Sequence, residues 1–333
     1  MKHRIINHFL SLFCLSLLLV SGCTNSEQAD TLQQVTEHVV VDADLLEALK
    51  QDLRDFEEAL HIIRKGAGRF DDVVAYIDTQ RESRLADWKK AAEQGIPEGQ
   101  ILFGYSFLYV PGGDALNAEA AKWFRKAAEL GHPEGQYRLA TYYSISSRAG
   151  PPLSFRGLVD WFRTSAKEKY AKSLDWYKKA GEQGHVQALY TLGNSYRQGH
   201  DRAGVPADPD EAEKWIRKAA ELGHAESQFH VGMNYLNEVV FHNPVTPASI
   251  EQYQQDSAEG MAWVRKAAEQ GHARAQYWLG MSYYQGMQLP QDTEEAMKWL
   301  HKAAEQGDTS ADRLLMQILR IRSSALLISS NCK

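Results

Sequence analysis

W-V-R-K-A-A-E-Q-G, the stretch from Trp263 to Gly271, decides the fold because the chain repeats it six times with small changes. The other five copies are Trp88–Gly95, Trp123–Gly131, Trp176–Gly184, Trp215–Gly223 and Trp299–Gly307. The tryptophans that open successive copies lie 35, 53, 39, 48 and 36 residues apart. Two of these intervals have the length of one helix–turn–helix unit and three have that length with an insertion, which predicts a helical solenoid.

Each copy has the pattern of a helix that ends at its glycine. Trp263, Ala267 and Ala268 fall at i, i+4 and i+5, so one face carries a large ring beside small residues that let another helix come close. The closing Gly271 can adopt the left-handed conformation at a helix end without a steric penalty. We therefore interpret each copy as the second helix of a repeat unit.

A second recurring element lies between the copies and supplies the first helix of each unit. It contains a Leu-Gly pair or its equivalent, with an aromatic residue three positions after the small one. Leu279 and Tyr283 lie one turn apart and can face the Trp helix, while Gly280 lets the two backbones approach. The aromatic residues at this position are Phe107, Tyr143, Tyr196, Tyr235 and Tyr283.

The first 22 residues are typical of a secretion signal. Lys2 and Arg4 precede an apolar run, Ile5–Val20, that is too short for a membrane-spanning helix. The following V-S-G-C resembles a bacterial lipobox, in which Cys23 is acylated after cleavage before it; an ordinary signal with a chance cysteine is the alternative. Two or more acyl chains anchor a protein stably, and Thr24 after the cysteine implies sorting to the outer membrane, facing the periplasm.

Composition argues against several classes of function. Removing residues 1–22 removes two of the 37 Lys and Arg and none of the 43 Asp and Glu, which leaves a net charge of −8 and disfavours nucleic acid as a partner. With Cys14 lost and Cys23 acylated, only Cys332 remains, so we expect no intramolecular disulfide. Common metal, nucleophile and nucleotide motifs do not occur, so we predict a non-enzyme without a cofactor or metal.

Both ends of the chain differ from the repeats. Residues 23–41 are polar and aperiodic, which is typical of a flexible tether. Apolar residues from Leu46 to Ile63 recur at steps of three and four and predict a helix within residues 42–69 that caps the stack; a coiled-coil dimer stripe is the alternative. The solenoid itself is predicted over residues 70–320 as about six units, with residues 321–333 as a C-terminal cap or tail.

The combined pattern A/G-x-x-x-L-G-x-x-Y…A-x-x-W-x-x-K-A-A-E-x-G resembles the SEL-one-like repeat, a relative of the tetratricopeptide repeat, over roughly residues 80–320. The resemblance implies an all-α fold, a right-handed α-solenoid of antiparallel helix pairs, here with atypical capping helices at both ends. It also implies protein binding rather than catalysis. Our favoured hypothesis is therefore a lipid-anchored periplasmic scaffold that binds a protein partner.

A narrower form of this hypothesis also comes from the resemblance. Some secreted or lipidated SEL-one-like proteins are immunity proteins that neutralise antibacterial effectors such as phospholipases. The predicted secretion signal, lipid anchor and binding solenoid fit that role without requiring it. An envelope adaptor and an envelope hydrolase are the alternatives, and the oligomeric state is open.

A stripe on the first helices is the candidate partner-binding site. Tyr277, Met281 and Tyr284 fall at i, i+4 and i+7, and in tetratricopeptide-like folds such positions line the concave surface. Rigid rings and adaptable thioethers make favourable partner contacts. Tyr137, Tyr190, Phe229 and Tyr277 can instead belong to the core between repeats. The predicted contact residues are Tyr105, Tyr137, Thr141, Tyr190, Asn194, Phe229, Met233, Tyr277, Met281 and Tyr284.

Insertions fall between the first and second helix of three units, at residues 145–172, 199–208 and 237–250. They should emerge along one edge of the solenoid, where loops often contact partners. Tolerated loop growth is the alternative, because long insertions cost little free energy.

Four histidines follow glycine stops: His132, His185, His224 and His272. A metal site needs several ligands close together, whereas stacking places one histidine per repeat along the axis. We expect each ring to cover the end of the preceding helix and to interact with its negative dipole end.

Overall fold

The computed structural model describes residues 43–64, 70–108, 114–148, 165–241 and 247–331. These ranges contain thirteen α-helices, one short 3-10 helix and no β-strand. The chain divides into two compact parts, residues 1–52 and 53–333, and the described portion of the first is helical from Ala43 onward. The predicted signal, lipidated Cys23 and tether lie outside the described residues.

The bounds of the helices follow the repeat pattern. They are α1 Ala43–Arg64, α2 Phe70–Glu93, α3 Pro97–Leu108, α4 Asp114–Glu129, α5 Pro133–Arg148, α6 Ala166–Glu182, α7 Val186–Gln198, α8 Pro209–Glu221, α9 Ala225–Phe241, α10 Pro247–Glu269, α11 Ala273–Gln285, α12 Thr293–Glu305 and α13 Thr309–Asn331. Every copy of the Trp phrase lies at the C-terminal end of a helix, and its glycine follows the last helical residue by two positions; the helices are α2, α4, α6, α8, α10 and α12.

Five pairs, α3–α4, α5–α6, α7–α8, α9–α10 and α11–α12, form the repeat units, and within each unit the two helices pack on each other. The second helix of a unit also packs on the first helix of the next, so α4 contacts α5 and α12 contacts α13. This pairing along the sequence confirms the predicted all-α solenoid.

The Trp phrase forms the core between the helices, as its pattern predicts. Ala267 and Ala268 of α10 are buried, and Trp215 of α8 is only 3% exposed. A side chain at Gly280 of α11 would lie 2.8 Å from Cγ of Leu300 in α12, so this glycine permits the close approach predicted for it. The six glycines that end the phrases all have φ between +83° and +94°, which confirms their role as helix stops.

The terminal helices α1 and α13 lack the phrase, and apolar side chains from Leu53 onward in α1 and of α13 are buried. Phe56 of α1 stacks on Tyr105 of α3 with ring centroids 4.1 Å apart. Leu53 and Leu60, one turn before and one turn after Phe56, are also buried. These apolar residues of α1 are thus covered within the chain. In α13, Ala311 and Ile318 are buried with Leu300 of α12.

Two of the predicted insertions are partly helical. Helix α5 continues to Arg148, α9 continues to Phe241 and α10 already begins at Pro247. The expectation of loops over the whole of residues 145–172 and 237–250 is therefore wrong at their ends. Additional helical turns satisfy backbone groups that a loop would leave to solvent.

The insertion at residues 199–208 is compact and fixed to two helices. It contains a 3-10 helix, Asp201–Ala203, and the backbones of His200 and Val205 exchange hydrogen bonds of 2.8 and 3.1 Å. His200 is buried, and its Nε2 lies 2.9 Å from the Ser147 hydroxyl of α5. The centroid of its ring lies 4.6 Å from that of Tyr170 in α6.

Candidate protein-binding surface

Three of the four histidines after the glycine stops cap the helix that follows them, whereas Nδ1 of His132 is buried and has no hydrogen-bond partner among the described residues. Nδ1 of His185 accepts a hydrogen bond from the backbone N–H of Ala188, and Nδ1 of His272 accepts one from Ala275, each at 3.1 Å. His224 accepts in the same way from Ser227 at 3.2 Å. These rings were expected to interact with the negative dipole end of the preceding helix, and for these three histidines that expectation is wrong. The accepting ring nitrogen instead bonds a backbone N–H in the first turn of the following helix, which has no partner within the helix.

The opposite nitrogen of two of these rings reaches the preceding unit. Nε2 of His185 lies 2.7 Å from Oε2 of Glu134, and Nε2 of His272 lies 2.6 Å from Oε2 of Glu226. Because Nδ1 accepts a hydrogen bond in the neutral ring, Nε2 carries the proton and donates it to the carboxylate. Each ring therefore joins a helix start to the first helix of the unit before it.

Glu134 is the most enclosed acidic group of this network. Its carboxylate accepts hydrogen bonds from the Tyr105 hydroxyl, from Nε of Arg138 at 2.5 Å and from His185. Burial opposes ionisation of Glu134, but the charge of Arg138 and the hydrogen bonds from His185 and Tyr105 outweigh it and hold its pKa far below the usual value. The Arg138 guanidinium in turn lies 4.9 Å from the ring centroids of both Tyr105 and Tyr137.

These contacts place three predicted partner contacts inside the stack. Tyr105 is fully buried between Phe56 and Phe124, while Tyr137 is 7% exposed and stacks on His185 at 4.7 Å. Phe229 is 4% exposed and lies 5.0 Å from the His272 ring. Their rings pack in the interior of the repeat array, so the core alternative holds for Tyr137 and Phe229, and the expectation for Tyr105 is corrected.

Seven predicted contact residues keep part of their surface. Tyr190 is half-buried with its ring 4.3 Å from His224, and Tyr277 and Tyr284 are half-buried against the core of the last units. Met233 is half-buried against the cluster around Phe229 and Leu279. The other half-buried members of the stripe are Thr141, Asn194 and Met281.

Two contacts recur from unit to unit that the sequence analysis missed. In five of the six copies, the Lys three residues after the Trp lies over the indole, for example Lys266 at 4.2 Å from the Trp263 ring centroid. In three copies, the Arg two residues after the Trp donates to the Tyr hydroxyl of the next first helix, as Arg265 does to Tyr283 at 2.7 Å. The spacing W-x-R-K was visible in the sequence and is the signal for both contacts.

Within the described ranges, no group of three or more His, Cys, Asp or Glu side chains is arranged to hold a metal ion. Nor does any helix in those ranges combine the length and apolarity needed to cross a membrane.

The chain is similar in sequence to known repeat proteins. The Sel1 repeat pattern matches residues 103–132, 161–185, 186–224, 251–272 and 273–308. A Sel1 repeat protein from Oxalobacter formigenes is 32% identical with a TM-score of 0.53, and the match covers 70% of this chain and 59% of that one. No protein of curated function matches the sequence.

Two further solved structures are similar at lower scores. A protective antigen present in uropathogenic Escherichia coli strains, which displays an SLR fold, is 29% identical with a TM-score of 0.42 over 70% of this chain and 51% of that one. An immunity protein from Pseudomonas aeruginosa is 17% identical with a TM-score of 0.40 over 81% and 84% of the two chains. The present chain thus spans between half and two thirds of the Oxalobacter and Escherichia proteins. Together, the repeated pattern, the paired helices and the Oxalobacter match establish that the chain belongs to the Sel1 repeat family.

Proposed function

We propose that the chain is a lipid-anchored scaffold, facing the periplasm from the outer membrane, that binds a partner protein through its first-helix stripe. One observation carries this proposal. Four consecutive units present a half-buried side chain at the same register position, and the four differ in chemistry: Thr141, Asn194, Met233 and Met281. Stacked repeats bring equivalent positions side by side, so a constant framework supports a surface whose chemistry varies along it.

The side chains of this stripe are suited to protein contact. Met233 and Met281 are flexible and polarisable, so they adapt to an irregular apolar partner surface. Asn194 accepts a hydrogen bond from Nη2 of Arg197 at 2.5 Å, which presents an amide and a guanidinium together. The stripe therefore supplies apolar contact in its later units and polar contact in its earlier ones.

Partner binding is tested by crosslinking in cells, identification of the captured protein and measurement of its affinity for the purified mature chain. We expect Met233→Asp and Met281→Asp each to weaken binding by about tenfold or more, since each places a charge in a contact that excludes water. Met287→Asp is the matched control, because Met287 is 50% exposed and lies outside the stripe. Equal affinity of all three variants and the unchanged chain would exclude the stripe as the binding site.

The anchor is tested by metabolic labelling with a clickable fatty acid. Cys23→Ser should abolish the label, whereas Cys332→Ser should retain it, because only the first cysteine follows the predicted lipobox. Label that persists in Cys23→Ser contradicts the anchor. The outer-membrane address is checked separately by fractionation of the two membranes.

The partner class that the sequence resemblance favours is a secreted antibacterial effector. Co-expression with a periplasmic effector from the same genomic neighbourhood should restore growth, and Met233→Asp should lose this protection. Absence of rescue, with crosslinking to an endogenous envelope protein, would favour an adaptor instead.

A further inference from the structure

A pocket of about 320 Å³ opens between α7, α8 and α9, in the middle of the solenoid. Apolar atoms of Pro209, Ala212 and Ile216 on α8 form part of its wall. Its polar lining residues come from all three helices and are Arg197 of α7, Glu213 and Arg217 of α8, and His230, Asn234 and Tyr235 of α9.

The pocket lies where the chain departs from its own repeat. Two residues before the repeat Trp, four other units have an apolar residue, whereas this unit has Glu213; those four are Ala121, Leu174, Met261 and Met297. The register position of His230 is occupied in the next unit by Trp278, which packs against the core cluster containing Met261. A half-buried imidazole and a half-buried carboxylate thus stand where the next unit has an indole and a thioether.

The residues that line the pocket carry two positive charges and one negative charge, while Glu226 and Glu259 act on His230 and Arg217 from outside the lining. Glu213 is held at both carboxylate oxygens: Nδ2 of Asn234 donates to Oε2 at 2.7 Å, and Nη2 of Arg217 donates to Oε1 at 3.3 Å. Arg217 also donates through Nη1 to the Tyr235 hydroxyl at 3.3 Å. The second guanidinium, Arg197, adds a further positive charge, so two cations and one carboxylate line the pocket.

His230 supplies a polar atom that its surroundings leave unused. Its Nδ1 is buried, and within the described part of the chain it has no hydrogen-bond partner. Burial lowers the pKa of His230, and the charge of Arg197 lowers it further, against smaller opposing effects of Glu213 and Glu226. The imidazole is therefore neutral at pH 7, and the tautomer protonated at Nδ1 can donate a hydrogen bond there.

We propose that this pocket binds the carboxylate of an acidic side chain presented by the partner protein. The inference deepens the proposed function and rests on it. Guanidinium groups pair with carboxylates through charge-assisted hydrogen bonds, and an unpartnered imidazole can add a donor. The volume is near the lower limit of about 300 Å³ for ligand pockets, which suits one side chain whose methylene groups contact Ala212 and Ile216.

The pocket is tested directly with acetyl-glutamate amide, a probe that carries the carboxylate without the partner. We expect the probe to shift the ring resonances of His230 saturably in NMR spectra, and acetyl-glutamine amide to leave them in place. The double variant Arg197→Gln/Arg217→Gln should weaken probe binding by about tenfold or more, because both positive charges are lost. Equal responses to the two probes, or full binding by a folded double variant, would overturn the proposal.

Arg265→Gln provides the matched control. Arg265 has the register position of Arg217 in the next unit and makes the same bond to a Tyr hydroxyl, but Met261 and Trp278 stand there in place of Glu213 and His230. This variant loses the same structural contact without touching the pocket. It should keep the response of His230 to the probe, and a loss of that response would assign the effect to the Arg–Tyr contact instead.

Affinity for the captured partner separates this inference from the proposed function. We expect the double variant to weaken partner binding by about tenfold, with a smaller salt dependence than the unchanged chain. If the stripe variants weaken binding and the double variant does not, the pocket proposal fails and the scaffold stands. If no partner binds while the probe does, the scaffold proposal fails and the carboxylate site stands alone.

Discussion

At the residue scale, a glutamine in the first helix joins three helices. Nε2 of Gln276 donates to the carbonyl of Ala268 in the preceding second helix at 3.1 Å, and its Oε1 accepts from Gln306 of its own second helix at 2.7 Å. The pairs Gln136 with Gln183 and Gln228 with Gln270 repeat the second bond. The amide thus satisfies a carbonyl at one helix end and fixes another helix beside it.

One unit has lost half of this arrangement. Gln100 reaches the Ala92 carbonyl at 3.5 Å, but its buried Oε1 has no partner in the described part of the chain. The residue in the position of Gln306 is Leu130, which is 60% exposed. An unsatisfied buried acceptor costs about 1–3 kcal/mol, and the exposed leucine buries too little apolar surface to offset that cost.

We therefore predict that Leu130→Gln stabilises the chain by about 0.5–1.5 kcal/mol, because it supplies the missing donor to Gln100. The measurement is the urea midpoint at unchanged slope. Leu222→Gln is the control: the residue facing that position is Leu189, so no acceptor awaits the new amide. Equal gains in stability in both variants would show that the effect comes from removing an exposed apolar side chain and not from the hydrogen bond to Gln100.

At the element scale, a histidine connects each of two units to its neighbour through three contacts. His272 caps α11 through Nδ1, bonds Glu226 through Nε2 and lies against Phe229. The hydrogen bond to His272 lowers the pKa of Glu226. Asp308 takes the capping role at α13, where its Oδ1 accepts from the N–H groups of Ser310 and Ala311 at 2.9 and 3.0 Å.

We expect His272→Ala to destabilise the chain by about 1–3 kcal/mol, since a cap alone contributes about 1 and the link to Glu226 is lost with it. His272→Asn keeps a capping acceptor but loses the ring and should fall between the two. Chemical denaturation measures all three proteins. His301→Ala is the control, because the His301 side chain is 66% exposed on α12; a similar loss there would contradict the capping account.

At the scale of the whole molecule, four buried or half-buried glutamates and histidines give stability one direction of dependence on pH at neutral and acidic pH. The pKa values of Glu134, Glu226, His132 and His230 are all lowered. For Glu134 and Glu226 the lowering comes from the donors around the carboxylates, and for the histidines burial comes first. Each group binds fewer protons folded than unfolded, so its stabilisation exists above its unfolded pKa and is lost as pH falls through its folded pKa.

Stability is thus predicted to decrease as pH falls below about 6.5, through the histidines, and again below about 4.5, through the glutamates. Urea titrations at about pH 7.5, pH 5.5 and pH 4 measure the change. Glu134→Gln should cost about 3 kcal/mol at neutral pH, because it leaves Arg138 as a buried charge without its counterion, and should reduce the loss below pH 4.5. A midpoint that rises on acidification would refute the assignment.

A control for the glutamate effect is Glu305→Gln. The Glu305 side chain is 64% exposed and lies 3.3 Å from the equally exposed His301 imidazole. Exposed pairs contribute roughly 0–1 kcal/mol, so this variant should keep the stability and the acid response of the unchanged chain.

The sequence by itself determined the helix pairs, their glycine ends and the family. These features depend on residues close together in the chain: the periodicity over one or two turns, the small residue at Gly280 and the helix stop at Gly271. Six in-phase copies repeat the same local pattern. The repeat pattern did not predict that α5 and α9 continue into the insertions, because those segments carry no copy of the repeat.

Only the tertiary structure decided which stripe residues face solvent and what the histidines do. Tyr137 and Tyr190 share one register position, yet Tyr137 is nearly enclosed and Tyr190 is half-buried, because exposure depends on neighbouring side chains. His185 meets Glu134 across 51 residues, a separation that varies with each insertion. The carboxylate pocket likewise needs α7, α8 and α9 together, since no single repeat contains Arg197, Arg217 and His230.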